Sequence, residues 1–312
     1  MSSEIDVLEP SIRFATLRPR LLGIAYRMLG TLSEAEEVVQ DAWIKLQLSL
    51  DAGIENVEAW LVSVTTRAAI DRLRSAKVER EHYAGLWLPE PLLVDRPVTP
   101  EERLEQADQV SLALLLMLER LTPEARAAFL LREIFDVDYD EIARTLGKSA
   151  ANCRQLVRRA RLQLQEVRPR QEVSEQEHLQ LLMQFANAAT SGDFRALRAT
   201  LADDATLIGD GGGKVTSFGR PLVGNQRIAQ LFYAGWLRFG NGAEFRVVRI
   251  NDRPGLVRFI DGELESVQSF ETAGGRIATI HVQRNPDKIA RFVTALKSPA
   301  ADAPARREDT AA

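Results

Sequence analysis

Cysteine is almost missing from this chain: Cys153 is the only one in 312 residues, so no internal disulfide can form. Histidine is scarce too. His82, His178 and His281 cannot, with one cysteine, assemble the ligand set of a structural zinc, and no metal or cofactor is expected. No stretch approaches the run of about 18 apolar residues that crosses a membrane. Residues 1–10 are acidic and lack the basic-then-apolar layout of a signal peptide, so a cytoplasmic location without a membrane partner is expected. Bulk positive charge is absent as well: the formal net charge of −4 argues against coating nucleic acid by general attraction.

What is present is charge in two places. Residues 148–170 hold Lys148, Arg154, Arg158, Arg159, Arg161, Arg168 and Arg170 against the single acid Glu166, whereas residues 33–41 hold Glu34, Glu36, Glu37 and Asp41. The length, about twice that of a usual domain, predicts two or three domains, each burying its own core.

Residues 12–29 read as an amphipathic helix closed by Gly30, and Ser33 is placed to cap a second helix with Glu36 at the capping-box position. A third helix, from residue 57 to about 80, is apolar at Trp60, Leu61, Val64 and Ala68 and basic at Arg67, Arg72, Arg74 and Lys77. Residues 10–82 form the first domain. Pro89, Pro91, Pro97 and Pro100 make 83–103 an extended linker. Trp87 and Leu88 inside it mark a segment that docks, or that packs locally. Helices are expected again at 101–121 and 122–132, within a domain spanning 104–168.

Residues 138–164 carry the plainest motif. Tyr139, Ile142, Ala143 and Leu146 share one face of a short helix, Gly147 breaks it, and Ser149 caps a second helix with Cys153, Leu156, Val157 and Ala160 inside. Helix, tight turn and helix place the second helix in a DNA major groove, with early side chains at base edges and later basic ones at phosphates. Asn152, Arg154 and Gln155 are the candidates for reading bases, because Asn and Gln pair with adenine and Arg with guanine. Arg158, Arg159 and Arg161 are the remaining DNA candidates, Arg159 and Arg161 fitting phosphates. Cys153 is expected to be a small core residue.

This unit, together with the segment 33–43, resembles the sigma-70 family of the extracytoplasmic-function (ECF) type. The resemblance implies that Glu37, Gln40 and Asp41 grip the clamp helices of the RNA polymerase core β′ subunit. It implies that residues 56–80 open and read the promoter -10 element, with the polar loop at Asn56 and Trp60 shaping a base pocket and Arg67, Arg72, Arg74 and Lys77 holding the backbone. The helix-turn-helix would then read the -35 element. The implied partners are polymerase core and promoter DNA.

After Pro169 the pattern changes. Helices are expected at 174–191, 194–201 and 225–239, with short strands at 206–208, 244–250, 256–260, 264–270 and 276–282, separated by Asn-Asp, Asp-Gly and Gly-Gly turns. This is an α+β domain over 174–297, followed by a disordered tail at 298–312. It resembles the SnoaL-like cone, a curved antiparallel sheet with helices, which the SigJ-like subgroup of ECF sigma factors carries as an extension. The fold class is therefore multidomain, two all-α sigma domains followed by that cone. The signatures are Trp87-Leu88-Pro89-Glu90-Pro91, Asp210-Gly211-Gly212-Gly213-Lys214 and Asn285-Pro286-Asp287-Lys288. The resemblance implies a fused regulator in place of a separate anti-sigma protein.

From the residues alone, the glycines at 211–213 permit a close backbone approach, and exposed amides there would receive a carboxylate or the Pro-rich linker; a plain surface turn is the other reading. Val215 stands where a P-loop needs Ser or Thr, so phosphate binding is a poor fit. SnoaL-like relatives include cyclases and isomerases, and His281 with Asp204, Asp210 or Glu265 is where such an acid–base pair would be sought. A structural histidine is favoured, so no enzyme activity is expected; a small-molecule ligand in the cone stays open. An ordinary helix-turn-helix regulator with a ligand-sensing domain is the rival reading, and it leaves the acidic and basic helices of the first domain without a task.

Overall fold

A computed structural model describes residues 2–49, 53–81, 83, 85–93, 110–165, 173–251 and 253–296, with the backbone alone for 2–10 and 76–81. The expected tail at 298–312, the linker beyond residue 93, the helix over 101–109 and the Lys77 side chain lie outside the described residues.

Helix α1 (Ser2–Leu29) stops at Gly30, whose φ of 77° is left-handed, and α2 (Leu32–Leu48) follows almost at once. The expected Ser33 cap is not used. Thr31 is the N-cap residue, its hydroxyl donating to Glu34, and the Leu32 amide donates to the carboxylate of Glu90 at 2.7 Å. A side chain 58 residues away supplies the acceptor that local sequence would provide. Helix α3 (Val57–Glu81) completes the first bundle, with Asn56 accepting from the Ala59 amide at 3.0 Å.

The second bundle is α4 (Leu112–Leu118), α5 (Pro123–Glu133), α6 (Tyr139–Leu146) and α7 (Ala150–Gln165). Thr122 caps α5 with Pro123 in its first turn, as the sequence predicts. Separate cores were expected for the two bundles, but a single buried cluster runs through both, from Leu21, Ile24 and Leu61 to Leu130, Ile142 and Val157. The buried Arg126 fastens the junction, donating to the Met28 carbonyl at 2.6 Å and to Glu119 at 2.8 Å. Two small helical units bury more apolar surface together than each does alone, which is what limits small domains.

The C-terminal domain opens with α8 (Glu175–Ser191), held by a full Ser174–Glu177 capping box, and α9 (Phe194–Thr200). Six strands follow: β1 (Leu201–Asp210), β2 (Leu222–Val223), β3 (Ala243–Ile250), β4 (Arg253–Ile260), β5 (Glu263–Ala273) and β6 (Arg276–Gln283), in the order β2-β1-β6-β5-β4-β3. The antiparallel expectation holds for every pair except β1 with β6, which is parallel. Helix α10 (Asn225–Phe239) carries the chain across one face before the β3–β6 meander begins at the far edge, so β6 arrives beside β1 running the same way. The turns at Asp261-Gly262 and Gly274-Gly275 have both residues at positive φ, the geometry that two-residue hairpins favour.

One face of the sheet packs on α8, α9 and α10 through Phe185, Leu207, Phe232 and Ile280. The other packs on α11 (Pro286–Leu296), an element the sequence reading left unassigned, through Val257, Val267, Ile289 and Phe292. No helix among the described residues is long and apolar enough to cross a membrane.

Candidate nucleic-acid interface and interdomain clamp

Helix α6 ends at Gly147 in the left-handed conformation (φ 62°), and Ser149 starts α7, its hydroxyl accepting from the Asn152 amide at 3.2 Å. Cys153, Val157, Ala160 and Leu164 are buried, which by helical periodicity turns Asn152, Gln155, Arg158 and Arg159 to solvent; all four are exposed. Arg154 and Arg161 lie on the flank and are engaged. Arg154 stacks 5.1 Å from the Tyr139 ring centre, and Arg161 makes a two-pronged bond to Glu133 at 2.6 and 3.0 Å. Burial raises the Cys153 thiol pKa, in keeping with a core residue.

Among the described residues, the basic side chains Arg67, Arg72 and Arg74 of α3 meet protein. Arg67 donates to the Arg144 and Thr145 carbonyls at 2.8 Å each, gripping the last turn of α6, where a helix presents its negative end. Arg74 pairs with Glu124 at 2.5 Å, and Arg72 pairs with Glu37 of α2. The Glu37 bond raises the Arg72 pKa and the Glu124 bond raises that of Arg74. Sequence reasoning placed Glu37 and Arg72 in separate sites; the fold joins them. Gln40 and Asp41 stay exposed on α2. Asn56 is spent on capping α3, and Trp60 is half-buried against the helical core. A groove of about 430 Å³ lies between Ile12, Thr16 and the Glu55-Asn56 turn.

The linker is fastened at two places. Asp210, fully buried at the end of β1, accepts from Tyr83 Oη (2.6 Å), the Leu88 amide (3.0 Å), the Gly212 amide (2.9 Å), Gln283 Nε2 (3.2 Å) and Lys288 Nζ (2.7 Å). Lys288 Nζ also donates to the Leu88 carbonyl at 2.7 Å and sits 4.4 Å from the Trp87 ring centre. Burial pushes the Asp210 carboxyl up, but the Lys288 ammonium and the donated hydrogen bonds outweigh it and hold the pKa below the usual range. Burial and the neighbouring Asp210 carboxylate push the Tyr83 phenol up. Pro89 is buried, its carbonyl accepting from Gln283 at 3.3 Å.

The second fastening is Asn251. Its amide donates to the Leu92 carbonyl at 2.7 Å and its side chain donates to Tyr26 Oη at 3.1 Å, while Tyr26 donates to the Glu90 carbonyl at 2.7 Å. Glu90 is buried, and burial raises its pKa against the lowering effect of the Leu32 amide and Arg291. Arg291 of α11 reaches across to Glu36 at 2.5 Å.

Trp87, Leu88, Pro89 and Asp210 thus come together, but among the described residues no linker group is bonded to the amides of residues 211–214. The Gly212 amide folds back to Asp210, the Lys214 amide bonds Gly211, and Lys214 Nζ pairs with Asp287 at 2.5 Å. Gly212 presses on Asn285 and Gly211 on the Val215 carbonyl, so neither leaves room for a Cβ, and Gly213 holds a left-handed φ of 70°. Sequence reasoning missed Tyr26, Tyr83, Asn251 and Gln283. Nothing local marks them, since each acts on residues more than 60 positions away.

Between α10 and the sheet lies a cavity of about 330 Å³. Leu207, Phe232 and Val282 line it with Arg258, Glu265 and Arg284. His281, the residue before Val282, faces the other side by strand alternation; burial lowers its pKa to about 4. Asp204 and Asp210 do not line the cavity, so the acid–base pair sought there is not assembled.

Two family models match the chain: Sigma-70 region 2 over residues 14–78 and Sigma-70, region 4 over residues 111–164. The ECF RNA polymerase sigma factor SigJ of Mycobacterium tuberculosis is 32% identical over 289 residues, covering 88% of this chain and 92% of its own. The probable ECF RNA polymerase sigma factor SigI of the same species is 32% identical over 275 residues, covering 87% and 92%. The crystal structure of M. tuberculosis SigJ superposes with a TM-score of 0.68 at 27% identity, over 93% of this chain and 98% of that one. From the helix-turn-helix to the sheet behind the Asp210 clamp, the chain belongs to the ECF RNA polymerase sigma factors of the sigma-70 family, and it shares with SigJ the C-terminal domain that follows the two sigma regions.

Proposed function

We propose that the protein directs RNA polymerase core to particular promoters and starts transcription there, and that its C-terminal domain sets when this happens. The observation that carries the reading is an acidic α2 face and an outward row on α7, both open to solvent on one helical body. Glu37, Gln40 and Asp41 meet the polymerase clamp helices. Asn152 and Gln155 read -35 bases, and Arg158 and Arg159 hold phosphates, with Arg154 and Arg161 joining once released from Tyr139 and Glu133.

The groove between Thr16 and Asn56 takes an unstacked -10 base, with Trp60 packed on the core behind the Asn56 turn, and Arg67, Arg72, Arg74 and Lys77 follow the melted strand. With Arg67, Arg72 and Arg74 on protein partners, the described arrangement is a closed one. Arg74 and Glu37 are more than half exposed at their ion pairs, where water screens the attraction, so phosphates displace the acids readily.

Trp87, Leu88, Pro89 and Asp210 form the regulatory contact, and the turn of Gly211, Gly212, Gly213 and Lys214 shapes it. The C-terminal domain acts by position and not by catalysis, a reading supported by His281 facing away from the cavity and by Glu265 tied to Arg284 at 2.6 Å. The cavity is the place for a small-molecule ligand that shifts this contact. The setting is the cytoplasm, where polymerase and promoters meet.

Transcription in vitro with purified core tests the reading. Full-length protein added to core should start transcripts at a subset of promoters, and stepwise C-terminal truncation should change their yield. Promoter binding without any binding to core would refute it in favour of a helix-turn-helix regulator.

A further inference from the structure

The cavity behind the clamp has a chemistry that narrows its occupant. Its volume of about 330 Å³ lies at the lower end of the range for small-ligand sites, roughly 300–1,000 Å³. Most of its wall is apolar, but the sheet side carries polar atoms with nothing to bond. Gln268 is 1% exposed; its Nε2 donates to Ser266 Oγ at 3.1 Å, while its Oε1 is buried without a partner. The Nε atoms of Arg258 and Arg284 are buried without a partner as well. A lone acceptor and two charged donors thus lie covered in the wall of one largely apolar space, at about 1–3 kcal/mol for each unsatisfied group, and side-chain rotation into that space lets a ligand that supplies the converse groups satisfy them.

The charges set the sign. Arg258 and Arg284 stand against Glu265, which pairs with Arg284 at 2.6 Å and with Arg258 at 3.8 Å. These three leave one net positive charge on the buried sheet wall, which one anionic group neutralises, while Arg238 of α10, also in the lining, is exposed to solvent. Burial and the neighbouring Arg284 lower the Arg258 pKa against the raising effect of Glu265. We propose that the cavity binds a small amphipathic organic monoanion, an apolar or aromatic body bearing one carboxylate for Arg258 and Arg284 and one hydroxyl that donates to Gln268 Oε1. This rests on the ligand-sensing reading above and deepens it.

The same geometry gives the ligand a route to the linker. Strand alternation sends Val282 and Arg284 to the cavity and Gln283 to the Leu88 and Pro89 carbonyls. The Arg284 side chain also donates to the Thr216 carbonyl, and its amide donates to the Asp210 carbonyl at 2.8 Å. A carboxylate that draws the Arg284 guanidinium inward therefore pulls on both ends of the 210–216 turn that carries the clamp. Differential affinity for the clamped and released states is all that such coupling needs.

Calorimetric titration of the full-length chain with 3-(4-hydroxyphenyl)propionate, its methyl ester and 3-phenylpropionate tests the idea. The acid should bind one-to-one, about tenfold or more tighter than the ester, and Arg258→Met or Arg284→Met should remove that preference. Gln268→Leu should weaken the hydroxy acid about tenfold while leaving 3-phenylpropionate unchanged. It should also raise the melting temperature of the free protein, since it removes an unsatisfied acceptor, a combination that a folding defect would not give. Equal binding of acid and ester would overturn the monoanion assignment while keeping a ligand site. Binding by none of the three would overturn the proposal together with the ligand-sensing reading, and transcription by the unliganded protein would still report separately on the sigma reading.

Discussion

Removing the Asp210 charge should unfasten the linker. At 2.7 Å and an effective dielectric constant of 20, the Asp210–Lys288 attraction is about 6 kcal/mol, offset by a desolvation penalty of several kcal/mol per ion. Asp210 is 0% exposed and the Lys288 side chain 9%, so Asp210→Asn strands a buried ammonium, and losing one partner of such a pair costs about 3–5 kcal/mol. The Asn amide also meets donors from Leu88, Tyr83 and Gln283 that a carboxylate accepts and an NH2 group cannot.

Hydrogen exchange at the Leu88 amide reads the effect locally, and protection there should fall by about a thousandfold. Lys288→Met should do likewise by stranding the carboxylate. The double variant should cost less than the sum of the two by at least about 2 kcal/mol, because neither charge is then left alone. Strict additivity, or single effects below about 0.5 kcal/mol, would refute the buried-pair argument. The sign of the pH effect is fixed as well. With the folded carboxyl pKa held below its ordinary value, the contribution is complete above the unfolded pKa and is lost as pH falls through the folded one.

His281 makes a separate pH prediction. Its folded pKa of about 4 lies below the ordinary 6.5, so the unfolded chain takes up the proton first and stability declines from pH 6.5 towards 4, by about 2 kcal/mol at pH 5. Urea melts of wild type and His281→Leu should diverge by that amount between pH 7 and pH 5, and parallel curves would contradict the assignment. Gly30→Ala should destabilise by about 1–3 kcal/mol in thermal unfolding, because φ is 77° and the new methyl would stand 2.6 Å from the Trp87 ring; an unchanged melting temperature would mean that Trp87 moves freely. In promoter binding, Gln155→Ala should cost about 1–3 kcal/mol and relax choice at one -35 position. Arg158→Ala should weaken all sequences alike and reduce the salt slope by about one; the reverse pattern would swap their roles.

The helix-turn-helix was legible because its signals are local: Tyr139, Ile142, Cys153 and Val157 follow helical spacing, and Gly147 and Ser149 punctuate it. Hairpin turns were legible at Asp261-Gly262 and Gly274-Gly275 for the same reason. Resemblance supplied the linker and loop motifs, but not their stereochemistry. Among the described residues the linker bonds to the Asp210 carboxylate and not to the glycine amides, and the five donors converging on that buried acid come from four separate segments. The parallel β1–β6 pairing was hidden because pairing partners lie about 70 residues apart and a strand's residue pattern does not state its neighbour's direction. The engaged state of Arg67, Arg72 and Arg74 was hidden too, because a basic helix reads the same in sequence whether it faces phosphate or a carboxylate.

Glu90 gives α2, the helix proposed to face polymerase, an unusual dependence. The first amide of α2 is satisfied by a carboxylate that belongs to the linker, so the start of that helix is complete only while residues 87–92 stay docked. Linker departure leaves an uncapped amide, a change on the order of 0.5–2 kcal/mol, in the element that carries Glu37, Gln40 and Asp41. With α2 meeting polymerase as proposed, that engagement and the release of the linker are not independent events: the first turn of α2 is the common element through which each alters the other's equilibrium.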